Sequence, residues 1–170
     1  MSQVTALLRI PVGVVVERRK AKSPWIEHVW RPLSVLTGAP DAAAWTPLQS
    51  TDEVVTFYAG MADVELYRSE TGYYRDNLAT DAPRLWVILR PTGAEPPYEL
   101  IGVTANPAEG EAMTEPGTDL VEMVPMPDLI QAAIAEFVAA HHVERPFFKR
   151  KRDRANPQSL ARGGRIKDDQ

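Results

Sequence analysis

The chain contains no cysteine among its 170 residues. Its own side chains therefore cannot form a disulfide, hold zinc or an iron–sulfur cluster through thiolates, or act as a cysteine nucleophile. Because a chain without cysteine fits a reducing compartment, we expect a cytoplasmic protein.

Long hydrophobic runs are also absent from the sequence. No segment approaches the roughly 20 consecutive apolar residues that a membrane-spanning helix needs. Near the start of the chain, Arg9 and Pro11 interrupt the apolar stretch, which is not the pattern of a secretory signal peptide. We therefore expect a soluble protein that makes no contact with a membrane.

The sequence lacks the short motifs of nucleotide-binding and hydrolytic sites. Its 10 glycines are scattered, and neither GxGxxG, GxxxxGKS/T nor GxSxG occurs. Among its three histidines, His141 and His142 are adjacent, so on a helix they point about 100° apart and cannot easily share one metal ion. We therefore expect no metal site, no cofactor and no catalytic residue, and hence a protein that is not an enzyme.

The net charge of −4 is unevenly distributed along the chain. Residues 1–144 hold 10 basic and 20 acidic residues, a balance of −10, whereas residues 145–170 hold 9 and 3, a balance of +6. From residue 153 onward, Pro, Gly, Ser and alternating charges predict disorder. We expect a single domain over residues 1–145 and a basic, largely disordered tail over 146–170.

Short alternating apolar patterns predict about seven strands. We place them at residues 11–18, 30–36, 54–59, 63–69, 84–90, 98–104 and 120–124. The third and fourth are interpreted as a hairpin around Gly60-Met61-Ala62, and the most apolar, RLWVILR, is expected at the centre of the sheet. Residues 37–51 are predicted to form a loop, with a short helical turn in GAPDAAAW.

Three segments predict helices. Thr71 is expected to cap a short helix over residues 71–79, and Asn106 followed by Pro107 predicts the start of a second. The longest is expected over 127–142, with Pro127 at the first helical position. Its apolar residues recur at helical spacing and form one stripe: Leu129, Ile130, Ala133, Ile134, Phe137, Val138 and His141. The predicted fold class is α+β: a mainly antiparallel, curled sheet or partial barrel of about seven strands, with this C-terminal helix packed on it.

Two segments of the body carry residues suited to binding. Tyr73, Arg75 and Asn77 form a polar and aromatic cluster, which is either a binding surface or the solvated face of an amphipathic helix. The rings of WIEHVW, together with Trp45, either line a groove for a peptide or ligand or close the end of a small barrel. We favour closure of the barrel.

The tail provides a further set, in which two aromatic residues precede a basic run. These residues are Phe147, Phe148, Lys149, Arg150, Lys151 and Arg152. Such a segment fits an acidic surface, on a partner or on the chain's own body. Phosphate contacts and base stacking would instead suit single-stranded nucleic acid, which the acidic body disfavours.

Several segments together resemble one bacterial family. They are VGVVVERRKAKSPWIEHVWRP, LYRSETGYYRDNL, VPMPDLIQAAIAEFVAAHH and FFKRKR, and the likeness spans nearly all of residues 8–152. The family is classed only as a domain of unknown function, and its members are typically encoded beside formate dehydrogenase and molybdenum-cofactor genes. The resemblance implies an accessory role in making or supporting a molybdenum-dependent formate dehydrogenase, and it implies no catalytic residues.

We therefore predict a non-catalytic accessory or assembly protein that binds a protein partner, with a formate dehydrogenase subunit or its maturation factors as candidates. One alternative is a carrier of a small ligand or cofactor in a cavity under the long helix, lined by Trp25 and Trp86. Basic residues near its mouth would then meet an anionic pterin: Arg18, Arg19 and Lys20. A second alternative is nucleic-acid binding through the tail.

Overall fold

The computed structural model describes residues 5–114 and 117–143, and this part of the chain contains seven strands and three α-helices. The strands β1 to β7 are Leu8–Lys20, His28–Thr37, Thr46–Ser50, Val54–Leu66, Arg84–Pro91, Tyr98–Thr104 and Leu120–Pro125. The helices α1 to α3 are Thr71–Leu78, Pro107–Thr114 and Asp128–His141, and a 3-10 turn, Arg68–Glu70, precedes α1. None of the described helices is long and apolar enough to cross a membrane.

The strands form one mostly antiparallel sheet in the order β2-β1-β4-β6-β5-β7, and β3 pairs with β4 beside this path. The strands β4 and β6 run parallel and meet at Val64 and Val103. Because the edge strands β2 and β7 contact each other, the sheet curls into a nearly closed barrel. The predicted α+β class, curled sheet and C-terminal helix are confirmed.

The core lies inside this curled sheet and beneath the helices. On β1, Val12, Val14 and Val16 are fully buried because alternate residues of a strand point to the same face. Helix α3 covers one end of the barrel with Ile130 and Ile134, which are almost completely buried. Burial of each side chain of this size contributes roughly 1.5–3 kcal/mol.

The buried arc of α3 is narrower than the sequence predicts. Leu129, expected on the packing stripe, is 68% exposed, since the helix turns Ile130, Ile134 and Phe137 towards the sheet. The ring of His141 packs beside Phe137, with a centroid distance of 4.6 Å. Pro127 is the residue before the helix and not its first residue.

The division of the strands differs from the prediction in two places. Val54–Leu66 is one continuous strand, so the predicted hairpin around Gly60 is wrong. Gly60, at φ 132°, forms a bulge at the register shift between Val14 and Val15 of β1, so the residue that suggested a turn bends the strand instead. Residues 46–50, predicted as loop, form β3. The predicted total of seven strands agrees only because these two errors offset each other.

The position of RLWVILR in the sheet also differs from the prediction. This strand, β5, lies between β6 and β7, one place from an edge. The central strand is β4, which pairs with β1, β3 and β6. β5 is nevertheless apolar because its residues 85–89 are buried: alternate ones face the core, and Trp86 packs under α2.

The two ends of the barrel are covered differently. At one end of the barrel, β4 ends at Leu66 and β5 begins at Arg84, and α1 lies between these two residues in the chain. The opposite end is where β1 finishes at Lys20 and pairs with the start of β2 at His28. The β1–β2 hairpin therefore projects from the end opposite the helices.

Candidate functional site

The most exposed aromatic side chain in the described part of the chain lies at the tip of the β1–β2 hairpin. We call residues 20–29 the hairpin tip. Trp25 is 89% exposed, Ile26 is 55% exposed and Val29 is 50% exposed. A large ring held almost wholly in water is unfavourable in an isolated protein, and it is a feature of interaction surfaces.

Local hydrogen bonds hold the loop that carries Trp25. The backbone N–H of Ala21 donates to the carbonyl of Glu27 at 3.1 Å, which closes the loop. The backbone N–H of Trp25 donates to Oγ of Ser23 at 3.1 Å, and Pro24 between them fixes one backbone dihedral. The loop is therefore a formed structure that presents its ring to solvent.

Basic residues surround the hairpin tip. Residues 17–31 contain five Lys or Arg and two Glu, a balance of +3, on a body that is otherwise acidic. Two of the arginines are partly neutralised by the buried carboxylate of Glu17: Arg19 Nε lies 3.0 Å from it and Arg31 Nε lies 3.7 Å from it. Lys20 and Lys22 precede Trp25 in the chain and are also exposed. The surface thus combines an apolar centre with positive charge.

Trp30 and Trp45, which the sequence hypothesis groups with Trp25, lie in an aromatic cluster at the same end of the barrel. The rings of Trp30 and Phe57 stack at 5.7 Å with an interplanar angle of 22°, and Trp45 and Tyr98 lie 6.1 and 6.0 Å from Trp30. Arg18 lies over Trp30 and Phe57, with its Cζ 5.7 and 5.3 Å from their centroids, as in a cation–π contact. Trp30, Trp45 and Tyr98 pack against the buried core, as the favoured interpretation predicts, whereas Trp25 does not join them.

The three residues of the predicted cluster on α1 differ in their exposure to solvent. Tyr73 is 48% exposed and Arg75 is exposed, whereas Asn77 is only 3% exposed. The Asn77 amide donates to the carbonyls of Arg84 at 2.8 Å and Ala105 at 2.9 Å, and its Oδ1 accepts from the N–H of Arg84 at 3.0 Å. Asn77 therefore joins α1 to the sheet, and it does not belong to a binding surface.

Arg75 and Thr71 hold the end of α3. Nδ1 of His142 lies 2.9 Å from the hydroxyl of Thr71, and its Nε2 lies 3.1 Å from Nη1 of Arg75. The side chain of Thr71 makes no cap bond, and the residue before the helix is Glu70, so the predicted capping role of Thr71 is wrong. The predicted cap at Asn106 is confirmed, since its Oδ1 accepts from the N–H of Ala108 at 2.9 Å.

The six tail residues predicted to bind a partner lie outside the described residues. They are Phe147, Phe148, Lys149, Arg150, Lys151 and Arg152.

The structure does not bring together Trp25 and Trp86, the two residues predicted to line a cavity under the long helix. Trp25 stands in solvent at the hairpin tip, whereas Trp86 is 8% exposed and packs against Gly110 of α2. Among the predicted mouth residues, Arg18 is engaged by the aromatic cluster and Arg19 by Glu17. Within residues 5–114 and 117–143 no group of three or more His, Asp or Glu side chains could hold a metal ion.

A second surface feature is a groove of about 380 Å³ between β4 and β6, beside α2. Its apolar lining includes Met61, Ile88, Leu100, Ile101 and Met113, and its carboxylates are Asp63, Glu65 and Glu109. We call it the acidic groove. Oε1 of Glu65 accepts from the hydroxyl of Tyr67 at 2.6 Å, and Oε1 of Glu109 accepts from the hydroxyl of Thr104 at 2.7 Å.

The acidic groove carries negative potential at the Tyr67 hydroxyl. The hydrogen bond to Glu65 is the largest cause that raises the pKa of Tyr67 to about 12, followed by burial. The negative charges of Glu65, Glu70 and Glu109 act in the same direction. The pKa of Glu65 is lowered, chiefly because Tyr67 and Arg9 donate hydrogen bonds to it.

Comparison with known families tests the resemblance seen in the sequence. A family model described as a protein of unknown function (DUF3305) matches residues 11–152. The chain belongs to this family. The match to DUF3305 includes the hairpin tip, the aromatic cluster and the acidic groove, and it confirms the predicted membership in a family of unknown function. The predicted association with formate dehydrogenase stays a prediction. No curated protein and no solved structure matches the chain.

Sequence reasoning missed both the hairpin tip and the acidic groove as surfaces. Trp25 was grouped with Trp30 because both occur in WIEHVW, yet the two rings differ in environment. The Ser23-Pro24 turn and the basic residues on both sides were the available indication that Trp25 lies on a loop. No indication existed for the groove, because its carboxylates come from β4 and α2, which are distant in sequence.

Proposed function

We propose that this protein is a non-catalytic accessory protein that binds a protein partner through the hairpin tip. The observation that carries the proposal is the 89% exposure of Trp25, beside the exposed Ile26, on a loop held by its own hydrogen bonds. A preformed loop loses little conformational entropy when it binds, so more of the contact energy appears as affinity. Trp is also the residue type most enriched among the dominant contacts of protein interfaces.

The chemistry of the hairpin tip defines the kind of surface it would fit. Trp25 and Ile26 require an apolar pocket, and the balance of +3 over residues 17–31 favours acidic groups around that pocket. Charge of this kind speeds association and orients the partner, while the buried ring supplies most of the binding energy. The partner surface is therefore a hydrophobic pocket with an acidic rim.

The family resemblance supplies a candidate for that partner. The resemblance implies that members of the family are encoded beside formate dehydrogenase and molybdenum-cofactor genes. We therefore propose as the partner a subunit of a molybdenum-dependent formate dehydrogenase, or one of its maturation factors. A protein that binds an immature subunit needs no catalytic residue of its own, which agrees with the proposed accessory role.

The test is affinity capture of the full chain from its native host, followed by identification of the recovered proteins. We expect Trp25→Ala with Ile26→Ser to lose the specific partner, because truncation of a central interface Trp costs about 2 kcal/mol or more, roughly 30-fold in affinity. The matched control is Leu129→Ser, which removes a 68% exposed apolar side chain at the other end of the barrel.

Each outcome of this experiment has a clear meaning. Loss of the partner with the hairpin variant and its retention with the Leu129 variant supports the proposal. Equal recovery by wild type and hairpin variant overturns it. The proposal is also overturned if the full chain binds vesicles of anionic lipid through Trp25 while recovery of no protein requires that residue. The hairpin tip would then be a membrane contact.

A further inference from the structure

We propose that the acidic groove binds the chain's own basic segment, residues 147–152, within the same molecule. This proposal is independent of the hairpin tip, which lies at the end where β1 finishes. It rests on three observations: where the described chain ends, how far the following residues reach, and how the groove and the segment match in chemistry.

The described chain ends close to the acidic groove. His142 lies against α1, with its Nδ1 2.9 Å from the hydroxyl of Thr71. Only the short turn Arg68–Glu70 separates Thr71 from Tyr67, which lines the groove. The hydroxyl of Tyr74 also accepts from the backbone N–H of Tyr67 at 2.9 Å, so α1 is fixed to this end of the groove. The chain therefore leaves the body beside Tyr67.

The chain after His142 is long enough to reach the acidic groove. Phe147 lies five positions after His142, and an extended chain covers about 3.3–3.6 Å per residue, so Phe147 reaches roughly 17 Å from His142. A 3-10 turn rises only about 2 Å per residue, so the turn between Thr71 and Tyr67 is shorter than this reach. The next residues, 148–152, add about 17 Å, enough to extend along a groove of this size.

The segment and the groove match in both apolar and charged groups. Phe147 and Phe148 offer two rings, and the groove offers the thioethers of Met61 and Met113, which make favourable contacts with aromatic rings. Four consecutive basic residues follow the two rings. The groove offers them three carboxylates, Asp63, Glu65 and Glu109, of which Glu65 also pairs with Nε of Arg9 at 3.3 Å. The hydrogen bond to Glu65 and burial are the main causes that raise the pKa of Tyr67, and the negative charges of Glu65, Glu70 and Glu109 act in the same direction.

Because the basic segment and the acidic groove belong to the same chain, weak contacts are enough to keep the segment bound. A short linker holds the segment near the groove at an effective concentration in the millimolar range, so even modest ion pairs keep it bound. The contact is mainly electrostatic and is therefore screened by salt. While bound, residues 147–152 are withheld from acidic surfaces of other molecules.

The absence of native cysteine permits a direct test by disulfide cross-linking in the full chain. Asp153→Cys places one thiol directly after the basic run and leaves that run intact, and Met61→Cys places the other in the groove, where Met61 is 55% exposed. The matched control pairs Asp153→Cys with Tyr73→Cys, since Tyr73 is 48% exposed on α1, the helix whose Thr71 contacts His142. We expect the Met61 pair to form an intramolecular disulfide on the order of tenfold faster than the Tyr73 pair.

Charge variants separate docking from chance collision. Glu65→Gln with Glu109→Gln should slow the Met61 cross-link several-fold, as should high salt, whereas Glu111→Gln, an exposed carboxylate outside the groove lining, should not. A thermal unfolding measurement confirms that each variant is folded. Equal or faster cross-linking at Tyr73 would show a free tail and overturn the proposal. Cross-links found only between two chains would overturn it in favour of a second copy.

Discussion

The hydroxyl of Thr71 lies 2.9 Å from Nδ1 of His142, and this contact joins the first turn of α1 to the end of α3 across 71 residues of sequence. Arg75, one turn further along α1, contacts the other ring nitrogen of the same histidine. The histidine that sequence analysis treated as a helix end therefore connects two helices. It also fixes the point at which the C-terminal segment leaves the body.

Removal of this connection should weaken the fold moderately. We expect His142→Ala to lower the free energy of unfolding by about 1 kcal/mol, the usual net value of a hydrogen bond. Denaturant unfolding measures the change, and Val143→Ala, at a 77% exposed position, is the control that should leave the midpoint unchanged. A His142 variant as stable as wild type would show that the contact does not hold the helices together.

Asn77 should be among the most sensitive polar residues of the protein. Asn77→Ala leaves the carbonyls of Arg84 and Ala105 and the N–H of Arg84 without their partner, at a cost of about 2–4 kcal/mol. Asn77→Asp should be no better, because a carboxylate cannot donate to the two carbonyls. The control is Asp76→Ala, an exposed neighbour on the same helix, expected to change stability by less than about 0.5 kcal/mol. Equal stability of the Asn77 and Asp76 variants would contradict this assignment.

Two glycine substitutions should have opposite effects. A Cβ added to Gly110 would overlap Cγ, Cδ1 and Cδ2 of Trp86, so Gly110→Ala should destabilise the protein by about 1–3 kcal/mol through overpacking. A Cβ added to Gly72 on α1 would meet no atom within 4 Å, so Gly72→Ala should stabilise it by about 0.4–1 kcal/mol. Chemical denaturation of both variants checks the sign of each change. A stabilising Gly110→Ala would show that α2 does not press on Trp86.

The raised pKa of Tyr67 in the acidic groove predicts that the protein loses stability at alkaline pH. The pKa of Tyr67 is raised from 10.0 to about 12 in the folded protein, first by its hydrogen bond to Glu65. Above pH 10 the unfolded chain loses this proton while the folded chain keeps it, so stability falls as pH rises towards about 12. Tyr67→Phe should make this decline less steep.

The phenolate absorbance of the folded protein tests the cause of the shift. The difference between wild type and Tyr67→Phe reports the titration of Tyr67 alone. We expect its midpoint near 12 in wild type and closer to 10 in Glu65→Gln, which weakens the hydrogen bond made by the Tyr67 hydroxyl and removes the negative charge beside it. A midpoint near 10 in wild type would refute the proposed negative potential at this hydroxyl.

Alternating and helical apolar patterns were sufficient to predict the fold class and the long helix. Tyr98–Thr104 was predicted with its correct bounds, and Asn106 was recognised as a cap because the side chain of the cap is local to its helix. The errors arose where tertiary pairing decides the outcome. Gly60 is equally compatible with a turn and a bulge, and only the pairing of β4 with β1 makes it a bulge.

The candidate surfaces were less predictable than the fold. A polar residue such as Asn77 on an amphipathic helix is expected in solvent, and its burial depends on carbonyls supplied by Arg84 and Ala105. Trp25 and Trp30 are five residues apart in one aromatic segment, yet one is exposed and the other packs on the core. Composition cannot distinguish a ring that fills a core from a ring that is exposed at the surface, because both are large and apolar.

The most direct test of the proposed partner-binding role is photocross-linking at Trp25 in the native host. A photoreactive aromatic amino acid in place of Trp25 preserves the size of the side chain and reports what lies against it. We predict one discrete cross-linked protein product from position 25, and no such product when the same group replaces Leu129, which is also exposed. No product from position 25, or the same products from both positions, would contradict the assignment of the hairpin tip as the binding surface.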